Sequence, residues 1–104
     1  MWFIVLNIFL LEGKVYNIAG EGENCKNQNN VIATDLGCKT AAEMLTIPFK
    51  QNYKSKNRPA GCFYDDNEKK LFFNPITELS QATPCCDVTR GVCVRGGSIN
   101  SIPS

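Results

Sequence analysis

The chain of 104 residues contains no histidine. That absence removes the commonest general base, the usual partner of a nucleophilic serine or cysteine, and the commonest zinc ligand. Paired carboxylates remain as a route to catalysis. The acidic residues, however, fall at a turn tip, beside glycines or on a helix surface, where nothing supplies the burial that a catalytic pKa shift requires. The sequence therefore reads as a non-enzyme without a cofactor. An excess of charge is missing too: eleven basic residues stand against ten acidic ones, for a net charge of +1. No global field draws such a protein to nucleic acid or to an anionic membrane. The longest apolar run, Met1 to Leu11, is far short of the ~20 residues a membrane-spanning helix needs, so stable membrane insertion is not expected. No Asn-x-Ser/Thr sequon occurs among the many asparagines. No two cysteines show the Cys-x-x-Cys spacing of redox sites or the short chelate arm of structural zinc sites.

What is present is sulfur. Six cysteines, Cys25, Cys38, Cys62, Cys85, Cys86 and Cys93, stand in a chain with room for one domain. Packing alone supplies only ~3 to 5 kcal/mol at this size, and crosslinks fill that gap. An even cysteine set in a short chain is typical of oxidising compartments, so the protein is expected to be secreted, extracellular and monomeric. Met1 to Leu11 reads as the apolar core of a signal peptide over residues 1–20, although no Lys or Arg follows Met1 directly. Candidate cuts lie after Gly13, Ala19 or Gly20. Residues 21–95 then form a cysteine-rich domain, and the Gly/Ser-rich residues 96–104 a frayed tail or a linker. Adjacent α-carbons lie ~3.8 Å apart, below the ~4.4 Å at which disulfides usually begin, so Cys85 and Cys86 are expected to take different partners.

The densest apolar segment outside the N-terminus, Arg58 to Asn74, reads as a β-hairpin with a polar Asp65-Asp66-Asn67-Glu68 tip. Pairing Tyr64 with Leu71 puts Cys62, Tyr64, Leu71 and Phe73 on one face, and Phe63 opposite Phe72 on the other. Asp35 is a candidate cap for a helix from about Leu36 to Thr46, stopped by Pro48. Cys38, Ala41, Ala42 and Leu45 form its buried stripe. Since Cys38 and Cys62 both point to the core, a bridge between them is the preferred pairing. Lys14 to Ala19 and Val31 to Thr34 are candidate strands, and Val92-Cys93-Val94 is a terminal strand after a Thr89-Arg90-Gly91 turn.

Two stretches are candidates for binding. Phe49 to Arg58 carries Lys50, Lys54, Lys56 and Arg58 with Phe49 and Tyr53 between them, either as a patch for an anionic ligand or as a solvated connecting loop. Phe63 and Phe72 form either a minor core under a covering segment or an exposed aromatic platform. The acidic hairpin tip offers oxygen donors suited to calcium, yet it lacks the glycine and distant glutamate of an EF-hand loop, and a turn needs such residues anyway.

From Val15 to Val94 the chain resembles a small cysteine-rich extracellular module found in predicted proteins of marine protists, algae and invertebrates. The resemblance rests on Gly22 to Cys25, Cys38-x-x-Ala41-Ala42-x-x-Leu45, Pro59-x-Gly61-Cys62, Phe72 to Asn74, and Cys93. It implies secretion and disulfides but no particular activity, and Cys85 and Cys86 depart from its four-cysteine pattern. A looser similarity of layout is to PAN/apple-like domains, which implies loops that bind proteins or carbohydrates.

The expected fold is α+β: one short helix packed on a small antiparallel sheet, stapled by three disulfides. The expected function is a non-catalytic extracellular recognition or structural module with a protein or carbohydrate partner. The alternative is a secreted protease inhibitor or toxin-like effector acting through a rigid basic loop, Lys50 to Arg58.

Overall fold

The computed structural model describes residues 14–84 and 88–95. Five strands, β1 (Val15–Ile18), β2 (Phe49–Asn52), β3 (Gly61–Asp65), β4 (Lys70–Asn74) and β5 (Thr89–Arg95), form one sheet in the order β1-β5-β3-β4-β2. A single α-helix among the described residues, α1 (Asp35–Leu45), packs on one face. The expected α+β layout is present. The sheet is mixed, however, because β2 runs parallel to β4. After β2 the chain reverses twice, through residues 53–60 and again at the hairpin tip, and two reversals restore the original direction.

The hairpin takes the expected register, with Cys62 opposite Phe73, Phe63 opposite Phe72 and Tyr64 opposite Leu71. Its tip is closed by Asp65, whose Oδ1 accepts from the N–H groups of Asn67 at 2.7 Å and Glu68 at 3.0 Å. Lys69 ends the turn in the left-handed region, at φ 59°. Gly61 opens β3 at φ +71°, where a Cβ would collide with the Ile32 carbonyl oxygen. This fixes both the residue type and the close passage of the 31–32 backbone.

The helix begins one residue earlier than the sequence suggests. Thr34, not Asp35, is the cap: its Oγ1 accepts from the Gly37 N–H at 3.0 Å. Asp35 instead occupies the first turn, where its charge complements the positive helix end. Thr46 terminates α1 in the left-handed conformation, and Pro48 lies two residues beyond. The stripe of Cys38, Ala41 and Ala42 is buried against Cys62, Leu71, Phe73 and Val92, with Tyr16, Leu45 and Phe49 packed at the margin. Cys38 and Cys62 are bonded, as expected from their shared inward direction.

The other face is covered by chain with little regular structure. Cys25, Val31, Ala60, Ala82 and Cys93 form a second cluster there, and a Cys25–Cys93 disulfide crosses it. Gly91 permits the approach: a Cβ on it would lie 3.1 Å from the Cys25 nitrogen and 3.2 Å from the Glu23 oxygen.

Several expectations need correction. Thr89-Arg90-Gly91 is strand rather than turn, paired with Asp65, Tyr64 and Phe63. Val31 to Thr34 contributes only one bridge, between Val31 and Cys93. Phe49 to Arg58 opens with β2, an edge strand formed by backbone bonds to β4 that its polar side chains do not advertise. The candidate strand within Lys14 to Ala19 is present as Val15–Ile18, paired with β5. Two of the expected three disulfides fall among the described residues. Cys85 and Cys86 lie outside them, as do Met1 to Leu11 and the 96–104 tail. The expectation that Cys85 and Cys86 take different partners therefore falls outside the described residues. No helix among the described residues is long and apolar enough to cross a membrane.

Candidate functional site

The period of two along β3 and β4 turns Phe63 and Phe72 away from α1, and their pairing across the hairpin stacks the rings, 5.4 Å between centroids at 14°. The basic segment covers them. Tyr53, just after β2, sets its ring 6.4 Å from Phe63 and 6.2 Å from Phe72, tilted and edge-on. Phe63 and Phe72 are thus buried, at 1% and 5% exposure, while Tyr53 retains 43%. The two phenylalanines form a minor core; the exposed aromatic is Tyr53.

Cations of the protein lie over two of these rings. The Arg58 guanidinium is 5.6 Å from the Tyr53 centroid, and Lys50 Nζ is 5.9 Å from that of Phe72. Lys50 also pairs with Glu68 at 2.8 Å. Between these side chains is an open cavity of about 200 Å³, to which Gln51 and Asp65 add their polar groups. A register shift between Phe49 and Gln51 makes Lys50 a bulge residue. Neighbours on a regular strand face opposite ways, but across the bulge Lys50 and Gln51 both line the cavity while Phe49 packs toward α1.

Residues 53–60 are held by a buried amide. Asn74, fully inaccessible, accepts at Oδ1 from the N–H groups of Ser55 (3.2 Å) and Ile76 (3.0 Å). Its Nδ2 donates to the carbonyls of Ser55 (2.7 Å) and Pro59 (3.0 Å). Asn24 does the same at the end of the loop, accepting from the Ala60 N–H at 2.8 Å and donating to the Ala82 carbonyl at 3.1 Å. The Lys56 carbonyl accepts from the Thr83 N–H at 2.7 Å. These contacts fix the backbone that carries Tyr53 and Arg58.

Of the seven residues proposed from sequence, Lys50, Tyr53, Arg58, Phe63 and Phe72 meet at this cavity. Lys54 and Lys56 do not. Lys54 is exposed outside it, and Lys56 lines a separate hollow with Ile76, Ser80, Gln81 and Thr83. Gln51 was missed, while Asp65 and Glu68 belong to the acidic hairpin tip that the sequence singled out on other grounds. Asp65 was within reach of the same period-two argument, since it lies two residues from Phe63; Gln51 needed the bulge. The acidic tip itself is taken up by folding: Asp65 closes the turn, Asp66 binds Arg90 at 3.0 Å and Glu68 binds Lys50. Among the described residues, no three His, Cys, Asp or Glu side chains converge as metal ligands.

The cavity lining has no Ser, Thr or Cys side chain, but it has hydrogen-bond donors and acceptors around a half-exposed ring. Such a site can hold a ligand. Compared with protein-family models, curated proteins and solved structures, the chain matches none.

Proposed function

We propose that this chain is a non-catalytic extracellular recognition module that binds a protein or carbohydrate partner at the cavity beside Tyr53. One observation carries the reading: a partly exposed aromatic ring, braced on a buried aromatic pair and set on a loop pinned by Asn74, stands among polar side chains. Aromatic anchors ringed by polar groups dominate binding energy, and a loop already held in place loses little freedom when a partner arrives. The two disulfides support an oxidising, extracellular setting. The test is a screen of the oxidised protein on a glycan array and against extracellular proteins, with Tyr53→Ala beside it. Loss of about tenfold or more in affinity, ~1.4 kcal/mol, is expected for the variant. A partner bound equally by both proteins would place recognition elsewhere.

A second reading is favoured by the same anchoring. Lys54 is exposed on backbone fastened from beneath at Ser55 and Lys56, as a loop presented to a serine protease that cleaves after lysine would be. Inhibition of such an enzyme that disappears with Lys54→Ala would select this reading over the first.

A further inference from the structure

We infer that the ligand of the Tyr53 cavity is a neutral carbohydrate, one pyranose ring of which packs against the exposed part of Tyr53. This rests on the recognition reading above and narrows its partner. Three ligand classes compete for such a site, and the local charges separate them.

An anionic glycan or phosphate needs an excess of positive charge. Here the lining residues are two cations, Lys50 and Arg58, and two carboxylates, Asp65 and Glu68, so the cavity offers no net attraction to an anion, and Lys50 is already paired with Glu68 at 2.8 Å. A quaternary ammonium needs open ring faces arranged as a cage. Phe63 and Phe72 instead close on each other at 5.4 Å, and the protein's own Lys50 and Arg58 lie over Phe72 and Tyr53. A neutral sugar needs neither an excess of charge nor a cage of several open ring faces. Its hydroxyls both donate and accept, so a pair of them can bridge the Lys50 ammonium and the Glu68 carboxylate without adding charge, and further ones reach Gln51 and Asp65. Its flat C–H face suits the part of Tyr53 left exposed beside the Arg58 guanidinium, a residue with an apolar body and a polar tip that is 43% exposed.

Size agrees with this. The cavity of about 200 Å³ is smaller than the ~300 to 1,000 Å³ of pockets that engulf a drug-sized molecule, so it takes a single ring of a longer chain and leaves the rest in solvent. Weak affinity per ring follows, with dissociation constants of about 0.1 to 1 mM.

The experiment is titration of the isotope-labelled, oxidised protein, followed by amide shifts, with four probes: neutral hexose and N-acetylhexosamine oligosaccharides, a sulfated heparin fragment, choline, and an acidic peptide. A neutral oligosaccharide is expected to move the signals of Lys50, Gln51, Tyr53 and Phe72, with affinity changing less than about twofold between low and high salt. Tyr53→Ala should lower that affinity by about tenfold or more while the amide signals of α1 keep their folded positions, and Tyr53→Phe, which keeps the ring over Phe63 and Phe72, should stay within about threefold. If the heparin fragment, choline or peptide moves these signals and the neutral sugars do not, the carbohydrate inference is overturned while the recognition site stands. If a neutral sugar binds without moving them, the site itself is wrong. Silence from the neutral panel up to about 20 mM overturns the inference as well.

Discussion

On the helix side of the sheet, Cys38, Ala41 and Ala42 press small side chains onto Cys62, Leu71, Phe73 and Val92. On the other side, Phe63 and Phe72 are closed over by loops that Asn24, Asn74 and the Cys25–Cys93 bond hold down. The first side is shut by apolar burial, at about 25 cal/mol per Å² and with no demand on direction. The second is shut by directional bonds to named backbone atoms. The difference locates the candidate site. Burial packs a surface away, whereas buried amides can fix a loop and still leave Tyr53 on its outside.

The comparison can be broken first at its crosslinks. Bond Cys25–Cys93 spans 68 residues and Cys38–Cys62 spans 24. The chain-entropy relation then gives ~4.4 and ~3.5 kcal/mol respectively. Paired cysteine-to-alanine variants, unfolded in denaturant, are expected to lose stability in that order. A larger loss from the helix-side pair would mean that apolar packing depends on its bond more than the loops depend on theirs. Next comes Asn74→Leu, expected to cost about 3 kcal/mol by leaving several buried backbone groups without partners. Hydrogen exchange sharpens the test: the Ser55 and Ile76 amides should lose protection while those of α1 keep it. Equal loss in both would show the two sides opening as one unit.

Smaller effects follow. Thr34→Ala removes the helix cap and should cost about 1 kcal/mol, measured by thermal unfolding, without disturbing Tyr53. Lys50→Met breaks an exposed ion pair and should change stability by about 0.5 kcal/mol or less. A loss well above that would make Lys50 a support of the aromatic stack rather than a group free to meet a ligand.

The helix side was legible in the sequence because periodicity reports which residues share a face. Cys38, Ala41 and Ala42 announce a stripe, and Tyr64 opposite Leu71 places Cys62 beneath it, which is enough to pair the two cysteines. The loop side was half legible. Phe63 and Phe72 follow from the same period, and covering by the basic segment was one of the two outcomes considered. Strand β2 was not foreseen, since Phe49-Lys50-Gln51-Asn52 carries no alternation and owes its conformation to the neighbouring backbone. Nor was the role of Asn74. An asparagine before a proline reads as the end of a strand, and nothing local tells that its amide reaches back to Ser55 and Pro59. The Cys25–Cys93 pairing depends on Gly91 admitting the 23–25 backbone, a steric fact that exists only once the sheet is built.

The segment bearing Tyr53, Lys54 and Lys56 lies between Cys38 and Cys62 and also between Cys25 and Cys93. It is enclosed by two covalent rings, one inside the other. Scission of a peptide bond there would release no fragment and would leave one ring still closed through both disulfides, with the severed ends tethered beside Asn74.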